Sequence, residues 1–219
     1  MHVNKEPLSL SSKSDFDLGK RMEEARQNGL FTNVTLVADG KEFKAHKVVL
    51  ASQSQFFKTR FASRWSGSAD DKVEMTDISA SVMEAILSYM YTGTVTDIDK
   101  IAYKLLPAAE EYALVGLRGM CEETLAKSLT ISSAIDVLIH ADAHNTINLK
   151  KACMGFILSN IASVKQSKGW SKLKKEVVHR DLWVELLESI TEKHFAASTT
   201  VSAPTKSEKE AEREDPAED

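Results

Sequence analysis

Cysteine is scarce in this chain. Cys121 and Cys153 are the only two among 219 residues, and their spacing suggests no disulfide framework. A reducing compartment, cytosolic or nuclear, is the expectation. No apolar run approaches the eighteen residues of a membrane-spanning helix. Met1 to Pro7 has no apolar core of a signal peptide. Paired zinc-finger ligands, a Walker phosphate loop, a Gly-x-Ser-x-Gly elbow and a paired-carboxylate pattern are all missing, which leaves little ground for an enzyme. Internal repeats are absent too. No catalytic residue, metal site or cofactor is expected.

The composition is that of an ordinary soluble domain, 42% hydrophobic and 27% charged. The net charge is −4, and Pro204 to Asp219 alone holds seven acids against three bases. The body is therefore balanced, which argues against nucleic acid as an electrostatic partner. Residues 1–14 and 194–219 show no periodic apolar pattern and read as disordered.

Between these ends the pattern is legible. Val34-Thr-Leu-Val-Ala38 alternates, Asp39-Gly40 tolerates the positive φ of a two-residue hairpin turn, and Lys41-Glu-Phe-Lys-Ala45 returns with Phe43 inward. This places Asn33-Val-Thr35, formally a glycosylation sequon, on a strand. His46 to Leu50 then takes a helical rhythm, and Ser52 or Ser54 is suited to cap the next helix. Residues 65–71 read as a loop and 72–75 as a short strand. A helix follows, capped by Asp77 or Ser79, with a capping-box spacing at Ser81 and Glu84, with Val82, Ile86 and Met90 inward, and ended by Gly93. Further helices are expected over 98–105, 107–114 (opened by Pro107), 116–127, 129–144, 147–164 and 171–190. Few early strands and many late helices make an α+β chain.

The hairpin followed by Ala45-His46-Lys47 and Leu50-Ala-Ser-Gln-Ser-Gln-Phe-Phe57 resembles the BTB (POZ) family. The likeness continues through Val73-Glu-Met-Thr-Asp77, Tyr89-Met-Tyr-Thr-Gly93 and Leu106-Pro-Ala-Ala-Glu-Glu-Tyr112. Within that family it is similar to speckle-type POZ proteins, without their substrate-binding MATH domain. The resemblance implies a BTB/POZ fold over 15–127, a short β-sheet flanked by helices. It also implies an all-α extension over 128–193, similar to the 3-box helix pair and the start of the BACK region, with Ile135 and Leu138 in the 3-box.

The resemblance also assigns roles. Leu18, Met22 and Ala25, an apolar stripe on the first helix, would pack across a two-fold axis rather than on their own domain. Asn33, His46 and Lys47 would form a polar cluster near the dimer centre. The family typically has Asp where this chain has Asn33, so an ion pair is expected to be lost there. The cullin-binding motif would involve Phe57 and Phe61, then a hydrophobe at Trp65 and an acid at the position of Gly67. The hydrophobe is present and the acid is not, a loss of about 1.5–3 kcal/mol if one charge-assisted hydrogen bond is missing.

Two other groupings read as structural. His140 and His144 are four apart on one helix face, a chelating spacing with no third ligand. Lys165, Lys168, Lys172, Lys174, Lys175 and Arg180 read as a solvated basic face, with Trp170 the one aromatic among them. The functional expectation is a non-enzymatic dimerisation module acting as a cullin-3 substrate adaptor in a ubiquitin ligase. Its partners would be a second copy or another BTB protein, cullin-3 and protein substrates, with neither nucleic acid nor membrane. The other reading is an oligomerisation scaffold that recruits no cullin.

Overall fold

The computed structural model describes residues 17–62 and 71–201, with side chains through 193. Strand β1 (Val34–Ala38) and strand β2 (Lys41–Ala45) pair antiparallel across a turn in which Asp39 (φ 50°) and Gly40 (φ 73°) both occupy the left-handed region. That is the turn whose twist matches the twist of its strands. Strand β3 (Asp71–Met75) joins β1 in parallel, giving the order β2-β1-β3. Leu36, Phe43 and Val73 lie in register on the buried face. On the other face Val37 is also buried. There Glu42 and Lys72 reach across the central strand to a 2.9 Å ion pair.

Helix α1 (Leu18–Gln27) precedes the sheet. It ends in a Schellman arrangement, with Gly29 at φ 68° and the Leu30 N–H on the Ala25 carbonyl at 2.8 Å. After the hairpin come α2 (Lys47–Gln53) and α3 (Gln55–Ala62). Ser54 is the cap between them. Its buried hydroxyl accepts from the Phe57 N–H and donates to the Tyr112 carbonyl at 2.6 Å. Helix α4 (Ala80–Thr92) buries Val82, Ile86 and Met90 and ends at Gly93, φ 72°. Its expected capping box is not made. Glu84 turns instead to Arg26 and Lys41.

The break expected at Pro107 is absent. Helix α5 (Ile98–Glu111) runs through it. An interior proline forfeits one helical hydrogen bond, a cost of about 3 kcal/mol. Burial of Ala102, Leu105, Leu106, Ala108 and Ala109 on both sides of it offsets that cost. Helix α6 (Val115–Lys127) follows.

The chain divides into two compact units, one ending at Thr124 and the other starting at Leu125. The second unit is all helix among the described residues: α7 (Ala134–Ala143), α8 (Ile147–Ser159), α9 (Ile161–Val164), α10 (Lys168–Lys175) and α11 (Arg180–Val201). Helix α7 starts later than its apolar pattern, because Thr130 and Ser133 cap one another reciprocally, each hydroxyl accepting the other's backbone N–H. The helix expected over 147–164 breaks at Asn160, whose backbone and side-chain amides both turn back to the Phe156 carbonyl. Helix α11 continues to Val201, so its backbone overruns the boundary expected at 194. The expected disordered segment 1–14 and the remaining tail lie outside the described residues.

Ile135 and Leu138 are fully buried in α7. Helix α10 reaches Ile135 closely because Gly169 has no side chain. A Cβ there would sit 2.9 Å from Ile135 Cβ. Gly169→Ala is expected to destabilise the helical unit by about 1–3 kcal/mol through overpacking, read as a lower urea midpoint. An unchanged midpoint would show that this contact relaxes freely.

Candidate interaction face of the hairpin unit

Helix α1 is inverted relative to an ordinary surface helix. Its buried residues are Glu23 and Arg26, while Leu18 is 59% exposed and Met22 and Ala25 are half-buried. Two charges, Glu23 and Arg26, point inward, while the apolar stripe runs along the flank of the helix rather than beneath it. The inward charges are satisfied by geometry. The Arg26 guanidinium, 5% exposed, donates to both oxygens of Glu23 at 2.6 and 2.7 Å and to Glu84 of α4 at 2.7 Å. It also lies over the Tyr91 ring, 5.7 Å from the centroid. Burial alone would lower the Arg26 pKa, but the bonds to Glu23 and Glu84 outweigh it and raise it. Gly19 lets α1 approach α4, since a Cβ there would meet the Tyr91 carbonyl oxygen at 2.6 Å.

His46 belongs to the same network. Its Nε2 is 2.9 Å from the Leu30 carbonyl, which can only accept, so Nε2 carries the proton. Nδ1 then accepts from the Tyr91 hydroxyl at 2.7 Å, and that hydroxyl accepts the His46 backbone N–H at 2.9 Å. Burial pushes the Tyr91 pKa up to about 12, so the phenol keeps its proton at neutral pH. A buried histidine with both nitrogens engaged is a brace between the loop after α1, the start of α2 and α4. It is not poised as a general base.

The ion pair expected to be lost at Asn33 is made elsewhere. Lys47 Nζ donates to Asp71 of β3 at 2.6 Å. Asn33 keeps a separate task, its Oδ1 accepting the Lys47 N–H at 2.8 Å. It thereby caps α2 from outside, where His46 at the N-cap position makes no side-chain cap bond.

Sequence reasoning missed part of this face. Leu30 is exposed, Phe31 is 95% exposed and Val48 is 72% exposed. Bonds from Leu30 to His46 and from Asn33 to Lys47 bring the loop carrying Leu30 and Phe31 against the start of α2, where Val48 lies. Phe31 also sits at φ 55°, a costly conformation for an aromatic residue. The available signal was a pair of apolar residues directly after a helix C-cap. Such a concentration of large apolar groups suits contact with another protein. Beside it, Arg26, Gln27, Lys41, Phe43, Lys44 and Glu84 line an open cleft of about 410 Å³.

Phe57 and Phe61 of α3 divide between core and surface. Phe57 is fully buried, stacked on Tyr112 and on Phe61, so it acts by holding α3 in place. Phe61 is half-buried. Trp65 and Gly67 lie outside the described residues. His140 and His144 touch edge to face, 4.7 Å between centroids, and no cluster of three metal-ligating side chains occurs among the described residues. None of the described helices is long and apolar enough to cross a membrane.

Arg26→Ala would leave the Glu23 carboxylate buried without its cation. It is expected to cost about 3 kcal/mol, the lower end for a broken buried pair because Glu84 is half-exposed. Chemical denaturation reads this directly, and a loss below about 1 kcal/mol would mean that water replaces the guanidinium.

Comparison with known proteins agrees with this geometry. The BTB/POZ domain family model matches residues 22–129. TD and POZ domain-containing protein 3 of Mus musculus is 34% identical over 165 residues, 74% of this chain and 44% of that protein. The chain thus spans less than half of that relative's length. The solved BTB domain of zebrafish PATZ1 is 27% identical, covering 50% of this chain and 89% of that one, with a TM-score of 0.45. Hairpin, parallel third strand, flanking helices and family match together establish that this chain carries a BTB/POZ domain, a protein-interaction fold, over residues 22–129.

Proposed function

We propose that this protein is a non-enzymatic adaptor that self-associates through α1 and recruits cullin-3 through α3 and the segment following it. The observation that carries the dimer is the inversion of α1. Glu23 and Arg26 occupy the inward side of the helix, so Leu18, half-buried Met22 and half-buried Ala25 remain for a partner, with Leu30, Phe31 and Val48 extending the apolar area. A two-fold contact between identical apolar faces would cover them in both copies at once. A second BTB protein with a similar face could replace one copy. Two linked copies would present two substrate sites and two ligase sites, giving avidity without new contacts. The catalytic chemistry would belong to the recruited ligase. Both thiols are buried, with pKa values pushed up to about 12 by burial, which suits a reducing cytoplasm or nucleus.

The cullin part rests on the family resemblance and on α3. Phe57 fixes that helix from below and Phe61 is half-buried at its end. Gly67, where an acid would stand, favours a second reading, an oligomerisation scaffold that leaves cullin-3 aside. Ile135 and Leu138 would act on cullin binding only through the packing of their helices.

In light scattering the chain is expected to have the mass of a dimer at micromolar concentration, and Leu18→Asp with Met22→Asp should reduce it to one chain with a retained helical spectrum. A monomeric unsubstituted protein would remove the self-association. In calorimetric titration with the cullin-3 N-terminal domain, weak binding is expected. Gly67→Glu should strengthen it by about tenfold or more, and Trp65→Ala should weaken it. If neither the natural chain nor Gly67→Glu binds, the scaffold reading replaces the adaptor.

A further inference from the structure

The helical unit carries a basic face that its own fold does not use. Between Lys165 and Arg180 there are six bases and one acid, Glu176. Helix α10 buries Gly169, Trp170 and Leu173 on one side. Lys168, Lys172 and Lys175, spaced i, i+4 and i+7, line up on the opposite side. Glu176 faces His179 at 3.3 Å. Among the described residues no carboxylate lies within 4.0 Å of the ammonium groups of Lys165, Lys168, Lys172, Lys174 or Lys175. Directly after them Val177 and Val178 stand 82% and 89% exposed. Several lysines elsewhere differ from these. Lys41, Lys47, Lys72 and Lys150 each have an acid at 3.9 Å or less.

We propose that this face is the docking surface for the chain's own acidic C-terminal segment, Glu212 to Asp219. That segment holds five acids against one base, the opposite sign to α10. The reach is sufficient. Helix α11 carries the chain away from α10 over 22 residues, a rise of about 33 Å. The eighteen residues after Val201 span up to about 59 Å when extended, so the part from about Glu212 onward can return to the level of Arg180. Tethering gives the segment an effective concentration near the millimolar range, which an untethered polyanion must match. The contact is electrostatic and side-chain mediated, so it is sensitive to salt and needs no fixed backbone conformation in the tail. Its consequence is protective and regulatory. The acidic segment keeps the lysine face from nucleic acid and anionic membrane surfaces, and a partner that binds the segment uncovers the face.

The 219-residue chain tests this through a single nitroxide label at Ala217→Cys, because Cys121 and Cys153 are buried and resist labelling. In about 0.05 M salt, the amide signals of Lys168 to Val178 are expected to lose roughly half their intensity to the label, and to recover in about 0.5 M salt. Lys168→Glu, Lys172→Glu and Lys175→Glu together should abolish the effect while the remaining amide spectrum stays in place. Those lysines are on the surface, so the triple variant should fold. Three results overturn the proposal. One is no salt-sensitive broadening on α10. Another is equal broadening at the hairpin lysines Lys41 and Lys44. The third is a 219-residue chain that binds phosphatidylserine vesicles or duplex DNA through the α10 lysines as tightly as a chain ending at Val201.

Discussion

The buried Arg26 guanidinium is the interaction on which the domain's presentation to partners depends. An arginine removed from water needs partners, and here two carboxylates accept three hydrogen bonds from it and an aromatic face lies beneath it. One carboxylate is on the arginine's own helix and the other on α4. The group therefore attaches α1 to the domain with charge rather than with apolar side chains. The usual attachment would have buried Leu18 and Met22. Here Leu18 stays exposed and Met22 and Ala25 are only half-buried, so the apolar stripe is left partly uncovered. A hydrophobic replacement of the ion pair could hold α1 equally well, but it would lose the directional bonds that fix which face is turned in.

The second brace, His46 with Tyr91 and the Leu30 carbonyl, acts on the neighbouring part of the face. It holds the loop after α1 against the start of α2, which places Phe31 and Val48 where both remain in solvent. The two braces share Tyr91, whose ring underlies the guanidinium and whose hydroxyl serves the histidine. Polar groups in the interior thus position apolar groups at the surface. The arrangement is costly if any partner is missing, because each buried donor or acceptor then loses its water without replacement.

The fold was legible where one residue type answers one backbone demand. Asp39-Gly40 declared the hairpin, Gly93 the end of α4 and Ser54 a cap, since positive φ and unsatisfied N–H groups have few solutions. The reading failed where tertiary burial or a competing side-chain bond overrode the apolar pattern. Pro107 should divide a helix, but apolar residues on both sides keep it whole. Asn160 should continue one, but its side chain competes for the Phe156 carbonyl. Among the site residues, the positions of Asn33, His46 and Lys47 near one another followed from the hairpin. That Lys47 takes its carboxylate from Asp71 did not, because the pairing of β3 beside β1 is a long-range choice.

By itself the sequence determined the local geometry of this protein, its sheet-then-helix order and the likeness to BTB domains, because turn chemistry and apolar period act within a few residues. It also determined the charge asymmetry between α10 and the acidic tail. Tertiary structure decided which side of α1 is inside. The period of Leu18, Met22 and Ala25 marks a face, but only the carboxylates of Glu23 and Glu84 gathered about one guanidinium leave that face partly uncovered. It likewise decided that Phe57 is core while Phe31 and Val48 are surface. Apolar character alone does not distinguish a residue that packs its own domain from one left for another chain.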